Sequence, residues 1–383
     1  MIKRVANNET NQEDLKLHPI EDVIEKLTYY RSLFGKIQDL TDIEFEELKK
    51  DIAYFFNLKV GSNTSVAPTR LVRISHNNRI LSAQGKDLSY LTDISQLLAP
   101  PIECCGFGRC NILNQQVLYC ATSEAGAYWE IKPKKGDVIT LSHFELKPDA
   151  TVNSFIVTKD KTENPEIQNK LQEVYYVLED FFVDVYSLVV ARDRPRDYLF
   201  SALLSSEQIF HPAVYDKNLE AIFYPSVQKK KYGENFAIRN ELILERYNLI
   251  GVETRFILDE YENLDPTSDE VTTDQIIGSF ATTVFDFKKG KILYNEKVDE
   301  IFALFRKMQI GEGKQVRFEH PNTPKNITFN LSPLKPSIHP KIIKYNRNDR
   351  VNAVYRTGIR KDNVKYKVVK LDVESGKCKV VQY

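Results

Sequence analysis

The stretch Gly106 to Glu130, GFGRCNILNQQVLYCATSEAGAYWE, reads as a basic turn between glycines, a short apolar strand and a helix carrying a carboxylate. Gln116-Val117-Leu118-Tyr119-Cys120-Ala121 is rich in residues that suit a mostly buried sheet. Thr122 or Ser123 then caps a helix through Ala125, Ala127 and Trp129, and Pro133 brings it to an end. Glu130 falls in the last turn, where the helix dipole disfavours a negative charge. A carboxylate kept there has another task.

Upstream, Arg70-Leu71-Val72-Arg73-Ile74-Ser75 reads as a strand, followed by a helical piece over Leu88 to Leu98 that Pro100-Pro101 closes. Two earlier patterns, Ile20 to Leu33 and Asp42 to Phe56, repeat apolar residues every three or four positions and predict a helical hairpin jointed near Gly35. Downstream, Asp137 to Leu141 and Val152 to Val157 read as strands, and Pro165 to Tyr186 as an amphipathic helix with Asn164 as its cap. A further helix is expected over Arg196 to Phe210. Strands and helices interspersed this unevenly predict an α+β fold rather than a regular βαβ series.

Gly108-Arg109-x-Asn111, then Val117-Leu118-Tyr119-x-Ala121, then Glu130 resembles the central block of RES-domain proteins, named for an Arg, a Glu and a Ser. Arg73 lies in a stretch similar to the family's opening strand. Ser226, in Phe223-Tyr224-Pro225-Ser226 before Asn235-Phe236-Ala237-Ile238, matches its closing block. The resemblance covers roughly Pro68 to Leu258. One departure is that the family's Gly-Gly-Arg-aromatic-Asn turn here has Cys110 in place of the aromatic.

The resemblance implies an ADP-ribosyltransferase-like fold and an enzyme that takes NAD as substrate and breaks the nicotinamide–ribose bond by hydrolysis or phosphorolysis, with inorganic phosphate as one acceptor. Such chemistry stabilises an oxocarbenium-like ribose, a task for Glu130. Arg73 is the family-matched partner for pyrophosphate or an attacking phosphate, with Arg109 as a second cation. Tyr119 would stack on the nicotinamide ring, and Ser226 would hydrogen-bond the nucleotide. The resemblance further implies a growth-arresting toxin with an antitoxin or other protein partner. A protein ADP-ribosyltransferase and a non-catalytic binding module are the alternatives.

Three regions are expected: a helical region over 1–66, a RES-like catalytic domain over 67–258 and a β-rich basic extension over 259–383, the last after the acidic connection Asp259 to Thr273. In the extension, a hairpin around Lys288-Lys289-Gly290-Lys291 and a helix from Val298 to Met308 precede a proline-rich segment, Pro321 to Pro340. A closing meander has turns at Lys361-Asp362-Asn363 and Glu374-Ser375-Gly376. The segment from Lys335 onward is basic with tyrosines interleaved, so nucleic acid is a possible partner, although a solvated sheet face is the stronger reading.

With 53 basic and 53 acidic side chains the chain has no bulk preference for nucleic acid or anionic membrane. The expected location is cytoplasmic, since Met1-Ile2-Lys3-Arg4 opens a polar segment and no apolar run approaches a membrane span. Of the 5 cysteines, Cys104, Cys105, Cys110 and Cys120 crowd the central block. Their spacing favours small buried residues over a metal site, and no metal is expected.

Overall fold

The computed structural model describes residues 19–56, 67–157, 169–210, 219–226, 234–258, 276–311, 328–333, 350–355, 360–365, 367–368, 370 and 378–381. Helices α1 (Ile20–Ser32) and α2 (Asp42–Phe55) precede β1 (Arg70–His76) and α3 (Asn77–Ala83). Next come β2 (Val117–Ala121), α4 (Glu124–Ile131), β3 (Val138–Leu146), β4 (Ser154–Ile156), α5 (Asn169–Tyr186) and α6 (Leu199–Leu203). They are followed by β5 (Ala221–Pro225), β6 (Glu234–Arg239), α7 (Ile243–Arg246), β7 (Tyr247–Ile257) and β8 (Ile276–Thr282). The remainder holds β9 (Phe285–Asp286), β10 (Lys291–Ile292), α8 (Val298–Gln309), β11 (Thr328–Asn330), β12 (Arg350–Tyr355), β13 (Arg360–Lys365) and β14 (Cys378–Val381).

The fold is α+β, built on a 9-stranded mixed sheet in the order β11-β8-β7-β3-β1-β2-β6-β5-β4. Among the described residues only the outer pairs, β11 with β8 and β4 with β5, are parallel. The central pair β1 and β2 shares a single register position, Val72 opposite Ala121, whereas β1 and β3 pair along seven positions from Arg70 opposite Glu145 to His76 opposite Ile139.

Strand alternation sorts the side chains onto two faces. Val117, Ala237, Ile222 and Tyr224 meet α5, α6 and the N-terminal helices on one face, and Val72, Ile74 and Ala121 meet α4 on that same face. Leu71, Leu118, Cys120, Phe236 and Ile238 point the other way, where Leu91, Ile94 and Leu97 cover them.

The N-terminal hairpin forms as its period predicts. Thr41 accepts from the Glu44 amide at 3.3 Å while Glu44 accepts from the Thr41 amide at 2.9 Å, a reciprocal cap on α2. The apolar stripe packs Tyr30 and Phe56 against Phe181 and Phe200, with ring centroids of Tyr30 and Phe200 5.1 Å apart. The phenol of Tyr30 donates to Asp51 at 2.9 Å. Each such buried ring contributes about 1.5–3 kcal/mol, so the hairpin shares the core of the α5–α6 layer.

Several elements differ from the reading of the chain. Helix α3 directly continues β1, and the expected helix over 88–98 shrinks to a single 3₁₀ turn, Ile94–Leu97, held by reciprocal Asp93 and Gln96 contacts. The 196–210 helix is broken into a 3₁₀ turn, α6 and a π turn, Leu204–Ile209. Lys361-Asp362-Asn363 lies inside β13 rather than in a turn. The sheet also continues past residue 258, since β8 pairs with β7 from Val252 opposite Thr282 to Ile257 opposite Ile276. The Asn164 cap, the acidic connection and most of the proline-rich segment lie outside the described residues. Among the described residues no helix is long and apolar enough to cross a membrane.

Candidate functional site

Helix α4 starts where Ser123 accepts the Gly126 amide at 3.1 Å, and it ends at Lys132, whose φ of 47° and ψ of 64° turn the chain away. A Cβ on Gly126 would stand 3.3 Å from the Ala121 Cβ, so this glycine lets the helix lie close on β2. The helix then presents Glu124 and Tyr128 to one flank and Glu130 to the other.

On the second flank, Glu130 Oε1 accepts from Ser226 Oγ at 2.7 Å and from Asn235 Nδ2 at 2.8 Å. Ser226 follows the last residue of β5 and Asn235 sits on β6, both buried, whereas Glu130 is exposed as a whole residue. Its Oε2 has no hydrogen-bond partner among the described residues. The carboxylate is thus tethered through one oxygen and open through the other.

Tyr119 faces the same side but is already engaged. Its hydroxyl donates to Asn111 Oδ1 at 2.7 Å and accepts from the Cys110 amide at 2.7 Å. Asn111 in turn donates to the carbonyls of Gly106 at 2.7 Å and Ile112 at 2.9 Å. The Gly106–Asn111 turn is therefore built around this phenol. A Cβ on Gly108 would come within 2.4 Å of Asn111 Oδ1 and 2.8 Å of the Tyr119 oxygen, so only glycine fits there. Burial holds the phenol well above its ordinary pKa, and it stays protonated.

Arg109 is buried and caps the C-terminal end of α5. Nη1 donates to the Tyr186 carbonyl and Nη2 to the Leu188 carbonyl at 2.9 Å, the placement that a helix dipole favours for a cation. Its guanidinium carbon also lies 5.4 Å from the Tyr198 ring centroid and 5.7 Å from that of Tyr224.

Arg73 does not join Glu130. It shares the face of Leu71 and Ser75, and its Nη1 donates to the Tyr119 carbonyl at 3.1 Å and Nη2 to the Leu98 carbonyl at 3.2 Å. Its Nε is sealed from solvent without a partner, and burial lowers its pKa. The expected meeting of four side chains is corrected accordingly: Glu130 and Ser226 touch, Tyr119 shares their face with its hydroxyl committed elsewhere, and Arg73 holds the β2 backbone from behind. Odd–even alternation along β1 is the physical reason, because Val72 and Ile74 occupy the α4 face and turn Arg73 away.

Cys105, Cys110 and Cys120 are packed as expected, whereas Cys104 is exposed on a 3₁₀ turn. Burial pushes the thiols of Cys110 and Cys120 up to about 12, and it also raises that of Cys105. Among the described residues no group of three or more His, Cys, Asp or Glu side chains is placed to hold a metal ion.

Two features were not read from the chain. Asn235 stands only within a matched block, although a buried polar residue next to the apolar run Phe236-Ala237-Ile238 is a signal of a partner. The other is an ion cluster on the opposite flank of α4, where Arg255 pairs with Glu253 at 2.7 Å and Glu124 at 2.9 Å and donates to the Tyr128 hydroxyl at 3.0 Å. His143 adjoins the cluster. Burial lowers its pKa, against the pull of Glu124 and Glu253.

In comparisons with known proteins, no family model matches the chain and no curated protein matches it.

Proposed function

We propose that the protein is an NAD-consuming enzyme with an ADP-ribosyltransferase-like core, cleaving the bond between nicotinamide and ribose. The observation that carries this reading is the 2.7 Å contact between Glu130 and Ser226, 96 positions apart, two of the three residues the RES resemblance singles out. Nicotinamide is a good leaving group, so the barrier lies in the positive charge that spreads over the ribose as the bond breaks. A carboxylate fixed through Oε1, with Oε2 open, stabilises that charge without reorganising at the moment of reaction. Ser226 and Asn235 hold the carboxylate, and the Tyr119 ring lies on the same face of the sheet for the departing nicotinamide to stack on. Arg73 enters this reading as a brace on β2, and Arg109 as the cap that fixes α5 against the glycine turn. Water and phosphate are both competent acceptors, and NAD depletion fits a growth-arresting toxin held in check by a partner.

Purified protein incubated with NAD, with and without phosphate, is expected to release nicotinamide. Glu130→Ala is expected to lower the rate about 100-fold or more, the scale seen when a group that stabilises transition-state charge is removed. Wild-type protein that leaves NAD intact, or Glu130→Ala protein as active as wild type, sinks the proposal. Transfer of label from NAD onto protein marks the ADP-ribosyltransferase alternative, and salt-sensitive retention on RNA or DNA without turnover marks the binding module.

A further inference from the structure

We infer that Asn235 is the positioning residue of the Glu130 carboxylate; its catalytic consequence rests on the NAD-cleaving reading, while the positioning itself does not. Asn235 is 4% exposed and lies on β6 between two strands, opposite Ala121 on β2 and opposite Tyr224 on β5. Its Cα is therefore fixed from both sides, and its planar amide has a short reach and few rotamers. Ser226, the other donor to Oε1, lies just beyond the end of β5. Of the two, Asn235 is the rigid reference.

The carboxylate needs such a reference. Glu130 occupies the last turn of α4, where unpaired carbonyls repel a negative charge, so its place over the sheet has to be supplied from outside the helix. Lysine or arginine could also hold it there, but each would cancel the charge that a cationic ribose requires. An amide donates a hydrogen bond and leaves the charge intact. Both neutral donors converge on Oε1, at 2.7 and 2.8 Å, and this convergence leaves Oε2 as the atom offered to a ligand. Burying an amide on a face otherwise built from Ala121, Ala237 and Tyr224 is costly unless it is bonded, and Glu130 supplies its Nδ2 partner.

The test uses the full chain labelled with 13C at glutamate carboxyls, the Glu130 signal being the one lost in Glu130→Gln. In Asn235→Ala that signal is expected to leave its wild-type chemical shift at neutral pH, because an amide donor to Oε1 is gone. For nicotinamide release, kcat is expected to fall about 10- to 100-fold while KM for NAD changes less than about threefold, the pattern of a misplaced catalytic group. Asn235→Asp keeps the volume if the alanine variant does not fold, and there too the signal is expected to move, since a carboxylate replaces the donor. A Glu130 signal at its wild-type chemical shift in either folded variant overturns the inference. A displaced signal in a protein that never consumes NAD upholds the positioning and refutes the NAD reading instead.

Discussion

Removing one oxygen atom, in Tyr119→Phe, tests the account of the glycine turn. The substitution deletes the 2.7 Å bond to Asn111 and the 2.7 Å bond from the Cys110 amide, and it leaves both groups buried, with Cys110 at 0% and Asn111 at 5% exposure. A stranded buried polar group costs roughly 1–3 kcal/mol, so two in contact cost about 2–4 kcal/mol together. For a chain of 383 residues this corresponds to a lowering of the unfolding midpoint by roughly 2–5 °C, read by calorimetry. The aromatic ring remains, so nicotinamide release measured well below the midpoint is expected to stay within about threefold of wild type. An unchanged midpoint would refute the claim that the phenol holds the turn. A folded variant that has lost turnover would show that the hydroxyl acts on the ligand instead.

Gly108→Ala places a methyl group within 2.4 Å of an asparagine oxygen that two carbonyls hold still, and a loss of about 1–3 kcal/mol is expected. The double variant with Tyr119→Phe is expected to lose less than the sum of the two, because both act on one network. Arg255→Leu leaves Glu253, 14% exposed at the side chain, without its cation, and is expected to cost about 3–5 kcal/mol in thermal or urea unfolding. Stability is also expected to decline on acidification. Burial alone would raise the Glu253 carboxyl, but the Arg255 hydrogen bond and charge override it and hold it below its ordinary value, so its contribution is present above about pH 4.3 and lost as pH falls through the lower folded value. His143 is also held below its ordinary value, by burial, so it contributes stability above about pH 6.5 that is lost as pH falls below that. Midpoints recorded from pH 8 to pH 4 check both, and a flat profile contradicts the buried cluster.

What was legible in the chain were the elements whose signal is local. Thr41 with Glu44 announced α2, Ser123 announced α4, and the run from Val117 to Ala121 announced its strand. Order along the chain also paired Glu130 with Ser226 across 96 positions, through a family pattern rather than a local rule. The side of the sheet on which a strand residue emerges was harder to read. Arg73 matched a block, but which face it took depended on where Val72 and Ile74 found their packing. Asn235 and Arg255 are hard to read for a related reason, since α4 supplies the partner of the first and, besides the neighbouring Glu253, two partners of the second. Segment 88–98 misled because Leu91, Ile94 and Leu97 have helical spacing yet serve as a lid on β1 and β2, with backbone donors taken by Gln96 and by Gly290.

A broad open sheet ordinarily risks recruiting further chains along its rims, where unpaired amides and carbonyls wait. Among the described residues the terminal strands, β4 and β11, are 3 residues long each and lie parallel to the strands they flank. So short a rim gives an incoming strand few ladder bonds to extend.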